Sequence, residues 1–244
     1  MNAKASLPTG SSLCAETRKA LSLLKHQIGL VESEAVTLDE LSRFGSRQNP
    51  FENESKAYSS QIEAFQRDFK DLLEWNCTDA EIGGLYVPRP RGYCKTLLVL
   101  PPAKVIAGPE TLCAKWRAEK KFTVWTFADG ALNEKIRNDR RHLGMYALLH
   151  KGGRDADAEL RNYSWERAQS DSIETMRATE VLYFEDVNFR RKEEHLDPES
   201  VTITSSLDSD GYAVNVNWYG NVNVNQYDVR HANPSYGPRA AVFL

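Results

Sequence analysis

The clearest pattern of apolar and polar positions lies near the C-terminal end. From Val214 to Asn217, and again from Val222 to Asn225, Val alternates with Asn. A period of two is the strand signal, because successive side chains leave a strand on opposite faces. Tyr219-Gly220-Asn221 separates the two runs and supplies residue types that tolerate positive φ, which predicts a tight antiparallel hairpin. In that hairpin Val214, Val216, Val222 and Val224 face a core. Asn215, Asn217, Asn221, Asn223 and Asn225 then form a patch of amides that can both donate and accept hydrogen bonds. Asn is a poor strand former, so this row is either a solvated outer face or a surface kept for recognition. Beyond it Tyr227, Asp228, Arg230, His231, Asn233 and Tyr236 continue the mixture without alternation. They read as a display loop, since binding loops favour Tyr and Asn.

Helical periodicity dominates the other end. Residues 1–13 are small and polar and read as a tail. Ala20, Leu21, Leu23, Leu24, Ile28 and Leu30 make an apolar stripe, and Thr37-Leu-Asp-Glu40 is a capping box opening a short helix through Leu41 and Phe44. A longer helix is predicted from about Ser55 to Trp75, with Ile62, Phe65, Phe69, Leu72 and Leu73 on one side. Residues 1–82 are therefore expected to be a helical region that packs on itself or on a neighbour, which leaves homo-oligomerisation through these helices open. The Gly- and Pro-rich stretch 83–92 reads as a domain boundary. After it come a strand in CKTLLVLPP, a helix over Pro109–Trp116, a strand over Phe122–Phe127, a strand at 144–150, a helix over 172–189 and a strand at Val201–Thr204. That order predicts an α+β domain over 83–244.

Composition narrows the classes. The chain has 244 residues, 41% of them hydrophobic, with a formal charge of −3. This is enough for a sizeable core and too acidic for wholesale nucleic-acid binding, although a local patch stays open. No apolar run reaches the ~18–20 residues that span a bilayer, and the N-terminus lacks the apolar stretch of a signal peptide. A cytoplasmic or a virion- or appendage-associated location is expected. Cys14, Cys77, Cys94 and Cys113 have no paired spacing and read as free thiols rather than zinc ligands.

Several groups could carry chemistry. His142 and His150 bracket an apolar strand, and the bland expectation is one solvent His and one core His. Glu193-Glu-His-Leu-Asp197 closes a helix, where a histidine serves as a cap. Asp155, Asp157 and Glu159 alternate with small residues, as a solvated turn or a carboxylate cluster would. Basic residues gather in 115–121 and 135–141 beside Trp116, Phe122 and Trp125, a mixture used by single-strand nucleic-acid platforms and also by ordinary surface helices. No phosphate loop and no nucleophile elbow is present. No residue is assigned a catalytic, cofactor-binding or metal-binding role. The competing class is a nucleic-acid-handling or metal-dependent enzyme using Arg137–His142 and Asp155–Glu159.

The stretches TLLVLPP, NDRRHLGMYALLHKGGRDADAEL, SIETMRATEVLYFED, EEHLDPESVTITSSLDSDG and PRAAVFL resemble a family of uncharacterised bacterial proteins over roughly residues 85–244. The tail is in turn similar to the variable region of target proteins of diversity-generating retroelements, where a Gly-x-Arg-x-x-Val segment closes the chain; Gly237, Arg239 and Val242 match it. The resemblance implies a C-type-lectin-like domain with small antiparallel sheets and one or two helices. It also implies a recognition role in which adenine mutagenesis turns Asn codons into Tyr, Asp, His or Ser codons at exposed positions. Asn215, Asn217, Tyr219, Asn221, Asn223, Asn225, Tyr227, Asp228, His231, Asn233 and Tyr236 are then the ligand-binding positions, with a protein as the expected macromolecular partner. The chain lacks the Glu-Pro-Asn and Trp-Asn-Asp motifs and the paired cysteines of true lectins, so the resemblance extends to neither calcium nor sugar.

Overall fold

The computed structural model describes residues 54–243, apart from 121, 122, 129, 137 and 138. The expected tail, the first helical stripe and the Thr37–Glu40 capping box lie outside the described residues. Asn53–Leu244 is one compact unit, and the stretch 83–92 lies within it. The Gly- and Pro-rich stretch breaks local structure without parting the core: Leu85 and Val87 within it are fully buried.

Helix α1 (Ser59–Leu73) buries Ile62, Phe65 and Phe69, with Tyr58 before it, in the same core as the strands. The 4-3-4 spacing of those four positions is one helical face. A short α2 (Asp79–Gly83) follows a capping box in which Thr78 Oγ1 accepts from Glu81 N–H and the Glu81 carboxylate accepts from Thr78 N–H. Next come α3 (Pro109–Glu119), α4 (Leu132–Lys135), α5 (Trp165–Ser170) and α6 (Ala178–Lys192). Beyond residue 83 the described residues thus hold four α-helices where one or two were expected, the additions being short turns below the length that periodicity detects.

Helix α6 begins at Ala178, not at 172, because its first amides are capped from far away. Ala178 N–H donates to Ser206 Oγ and Thr179 N–H donates to Asp139 Oδ2 at 2.6 Å. Ala178 through Asn188 are all buried, and the acids among them are paired. Glu180 binds Arg141 at 2.7 Å, Glu185 accepts from Leu196 N–H at 2.7 Å, and Asp186 accepts from Trp116 Nε1 at 2.8 Å.

Two sheets complete an α+β unit. Strands β1 (Thr96–Leu100), β3 (Tyr146–His150) and β8 (Ala241–Val242) form an antiparallel sheet in the order β1-β3-β8. Strands β2 (Val124–Thr126), β4 (Val201–Leu207), β5 (Ala213–Trp218), β6 (Val222–Tyr227) and β7 (Tyr236–Pro238) form the second, ordered β2-β6-β5-β4-β7. In the second sheet β2–β6 and β4–β7 are parallel, so it is mixed where antiparallel sheets were expected. Alternation predicts strands but not partners distant in sequence, and parallel partners need a crossover.

The matching Gly237, Arg239 and Val242 serve this fold. A Cβ on Gly237 would stand 2.7 Å from Leu160 O. Arg239, 2% exposed, donates to Thr202 Oγ1, to Gly153 and Arg154 carbonyls, and to Asp197 Oδ1 at 2.7 Å. Val242 pairs with Leu149 in the smaller sheet. Among the described residues no helix is long and apolar enough to cross a membrane.

Candidate functional site

The hairpin forms as its alternation predicts. Val216 faces Val224, Asn217 faces Asn223, and Trp218 faces Val222, leaving Tyr219-Gly220-Asn221 as the turn, with Gly220 at φ 71°. Tyr219 N–H donates to Asn221 O. All four valines are buried. On the other face the amides interlock, with Asn221 Nδ2 donating to Asn223 Oδ1 at 2.9 Å and Asn223 Nδ2 donating to Asn221 O at 3.1 Å.

The register extends this face across the whole sheet. Trp125 pairs with Asn223, and Asn223 with Asn217. Continuing the Thr202–Val216 pairing, Val201 stands beside Asn217, and Val201 pairs with Tyr236. One row therefore reads Trp125, Asn223, Asn217, Val201, Tyr236 from edge to edge, because direct cross-strand partners share a face. Trp125 is 49% exposed and Tyr219, at the hairpin tip, 83%. Sequence reading missed Trp125 and Val201 as members of this row, since β2 meets β6 from about a hundred residues away.

The display loop is internally ordered. Tyr227, His231 and Tyr236 pack ring on ring with centroids 5.1–5.4 Å apart, and Tyr236 Oη donates to Tyr227 Oη at 3.2 Å. Burial, followed by the Tyr227 hydroxyl, pushes Tyr236 up to about 12, so it stays neutral at physiological pH. The exposed Asp228 accepts from Arg230 Nε and Nη2, which holds its carboxyl well below the usual range. Asn233 Oδ1 accepts from the backbone and hydroxyl of Ser235. Among the candidate residues the one carboxylate, Asp228, is thus paired with Arg230, and the remaining contact groups are rings and amides.

Asn215 departs from expectation. It lies on the amide face, opposite Asn225 and beside Ile203, yet is only 1% exposed. The other candidates, Asn217, Tyr219, Asn221, Asn223, Asn225, Tyr227, Asp228, His231, Asn233 and Tyr236, are partly or fully exposed.

Arg137 lies outside the described residues, and among those described the residues considered for catalysis do not converge. Asp139 is buried under Thr179 and Ser206, and that burial pushes its carboxyl up to about 6. Arg140 donates to the carbonyls of Pro101 and Ile106, and Arg141 holds Glu180 and the Thr175 carbonyl. In the second group Asp155 accepts from Ser200, Asp157 from Ala240 N–H, and Glu159 binds Lys151. Asp139 and Arg141 line a groove of about 660 Å³ with Glu174, Arg177 and Ser205; Asp155, Asp157 and Glu159 are not on its walls. Among the described residues no group of three or more His, Cys, Asp or Glu could hold a metal ion.

The remaining candidates are structural. His150 is buried, its Nδ1 accepts from Gly152 N–H, and burial lowers it to about 3. His142 is exposed and accepts from Gly144 N–H. His195 is stacked between Phe189 and Trp218, with Nδ1 2.6 Å from Glu185, which is more than the helix cap expected of it. Trp116 is wholly buried and so offers no base-stacking platform. No protein-family model matches the chain, and neither a curated protein nor a solved structure matches it.

Proposed function

We propose that the outer face of the five-stranded sheet is a recognition surface for a macromolecular ligand, a protein, in a C-type-lectin-like domain diversified by a retroelement. The observation that carries this reading is the edge-to-edge row Trp125, Asn223, Asn217, Val201 and Tyr236, with Tyr219 projecting from the tip. Rings supply contact area at small entropic cost, and amides adapt as donor or acceptor. Its near-neutral charge suits a partner bound by shape and hydrogen bonding rather than by long-range attraction. Diversification needs positions that change without unfolding the domain, and Asn217, Tyr219 and Asn225 stand outside the valine-lined core.

Two experiments test the reading. A display library randomised at Asn217, Tyr219, Asn225 and His231 yields mostly protease-resistant clones and binders to some protein targets. A matched library at Val214, Val216, Val222 and Val224 yields almost none. Equal loss of folded clones in both libraries sinks the idea. The DNA around the gene gives the second test: a reverse-transcriptase gene and a near copy of the codons for residues 212–239, differing at adenines, are expected. Without them the retroelement part of the reading fails.

A further inference from the structure

Among the described residues seven buried side-chain nitrogen and oxygen atoms have no hydrogen-bond partner, and Asn215 alone contributes two of them, Nδ2 and Oδ1. An amide removed from water without partners is a standing cost to the folded state. An apolar residue, such as its buried cross-strand neighbour Ile203, would avoid that cost. The amide is therefore kept against stability, which is the mark of a functional position.

Its surroundings indicate what it serves. Tyr227 ends β6 at one corner of the outer face and Tyr236 begins β7 at the opposite corner, yet their hydroxyls meet at 3.2 Å. The diagonal joining those corners crosses the row of Asn215 and Ile203, which are buried, at 1% and 5% exposure. Tyr227 and Tyr236 are strand residues, and the loop between them, which carries His231, is lightly tethered. From Asp228 to Asn233 its hydrogen bonds to described residues are local turns, apart from Glu166 N–H to Val229 O.

We propose that Asn215 is the floor of a ligand site roofed by Tyr227, His231 and Tyr236, and that the site takes a primary carboxamide, the side chain of an Asn or Gln on a protein partner. The recognition reading of this face underlies the proposal. A side-chain amide presents one acceptor and one donor edge to edge, and the matching edge is a second primary amide, which satisfies both orphaned atoms at once. The aromatic roof excludes water from that pair when it recloses, and hydrogen bonds in a dry site are stronger than in water. Because the roof must lift first, intrinsic affinity is reduced by the fraction of molecules that are open.

Acetamide is the probe, read by the side-chain amide resonances of the isotopically labelled full chain. Acetamide is expected to shift the Asn215 resonance saturably, together with the rings of Tyr227, His231 and Tyr236. N,N-dimethylacetamide, which cannot donate, is expected to leave it in place. Asn215→Leu abolishes the ring shifts and raises Tm by about 3 °C, since the orphaned amide is gone. Tyr227→Phe, which removes the hydroxyl contact of the roof, tightens acetamide binding about threefold through a larger open fraction. Absence of a saturable shift overturns the proposal. So does a lower Tm for Asn215→Leu, which would make the amide structural, and so does weaker binding by Tyr227→Phe. Acetamide reads this site directly, whereas capture of a selected protein target reads the wider face, so failure of the one is distinguishable from failure of the other.

Discussion

Strands β4 and β5–β6 share one period and use it in opposite senses. In the hairpin Val214, Val216, Val222 and Val224 point inward and Asn residues outward. In β4 the inward residues are Thr202, Thr204 and Ser206, all buried, while Val201 and Ile203 stand on the outer face. The inward hydroxyls are committed: Thr202 to Asp197 and Arg239, Thr204 to Val214 O, and Ser206 to Asp139. One sheet thus has a dry half that holds the hairpin and a hydrogen-bonded half that holds buried charges. Alternation identifies the two faces of a strand, and what each face meets decides which is interior.

The comparison is broken most severely through Arg239. Arg239→Met leaves the fully buried Asp197 without its cation, and removing one member of a buried pair costs about 4 kcal/mol; urea melts measure it, and a loss under ~1 kcal/mol would show that Asp197 is served by Thr202 and Ser200 alone. Next is Val224→Asn, which copies the outer pattern onto the inner face. An amide without a partner in that core is expected to cost about 3 kcal/mol, seen as a lower Tm.

The third prediction concerns pH. Burial holds the Asp139 proton up to about pH 6, whereas the unfolded chain releases it near pH 4. The folded state therefore binds more protons in that window, and stability falls as pH rises through it, then stays flat above about pH 6. The gap between the folded and unfolded values corresponds to a loss of up to about 3 kcal/mol. A carboxamide does not titrate, so the difference between the stability curves of wild type and Asp139→Asn should change between pH 4 and 6 and level off beyond. A difference that is constant across the window would show that Asp139 is ionised throughout.

The smallest effect belongs to the amide face. Asn217→Ala should change stability by under ~0.5 kcal/mol, as surface substitutions do, while reducing capture of a selected protein target. A melt shifted by more than about 3 °C would make Asn217 part of the scaffold and narrow the replaceable surface to Tyr219 and the loop.

Much of the fold was legible because it is written locally. The α1 stripe and the hairpin carry their period within a few residues, β1 and β3 are short apolar runs, and the turn at Gly220 states its own conformation. What escaped was set at a distance. Helix α6 starts where Asp139 and Ser206 reach its first amides, some 40 and 28 residues away in sequence, and its one local device, Glu180 accepting from Arg177 N–H, follows no Ser, Thr, Asp or Asn at the cap. The α2 helix is the exception, since its Thr78–Glu81 capping box was there to be read. The candidate site divides in the same way: Asn217, Asn223 and Tyr219 follow from alternation and turn chemistry, whereas Trp125 and Val201 enter only through strand pairing.

The sequence by itself determined that residues 214–225 form a hairpin with one valine face and one amide face, because side-chain direction in a strand is fixed by parity alone. Tertiary structure decided the rest. It placed β2 and β7 at the two edges and turned the hydroxyls of β4 inward to meet Asp197, Arg239 and Asp139. It also brought Tyr227 and Tyr236 together across the outer face. Parity says that Asn215 belongs with the other amides; only the tertiary structure made it the one that is buried.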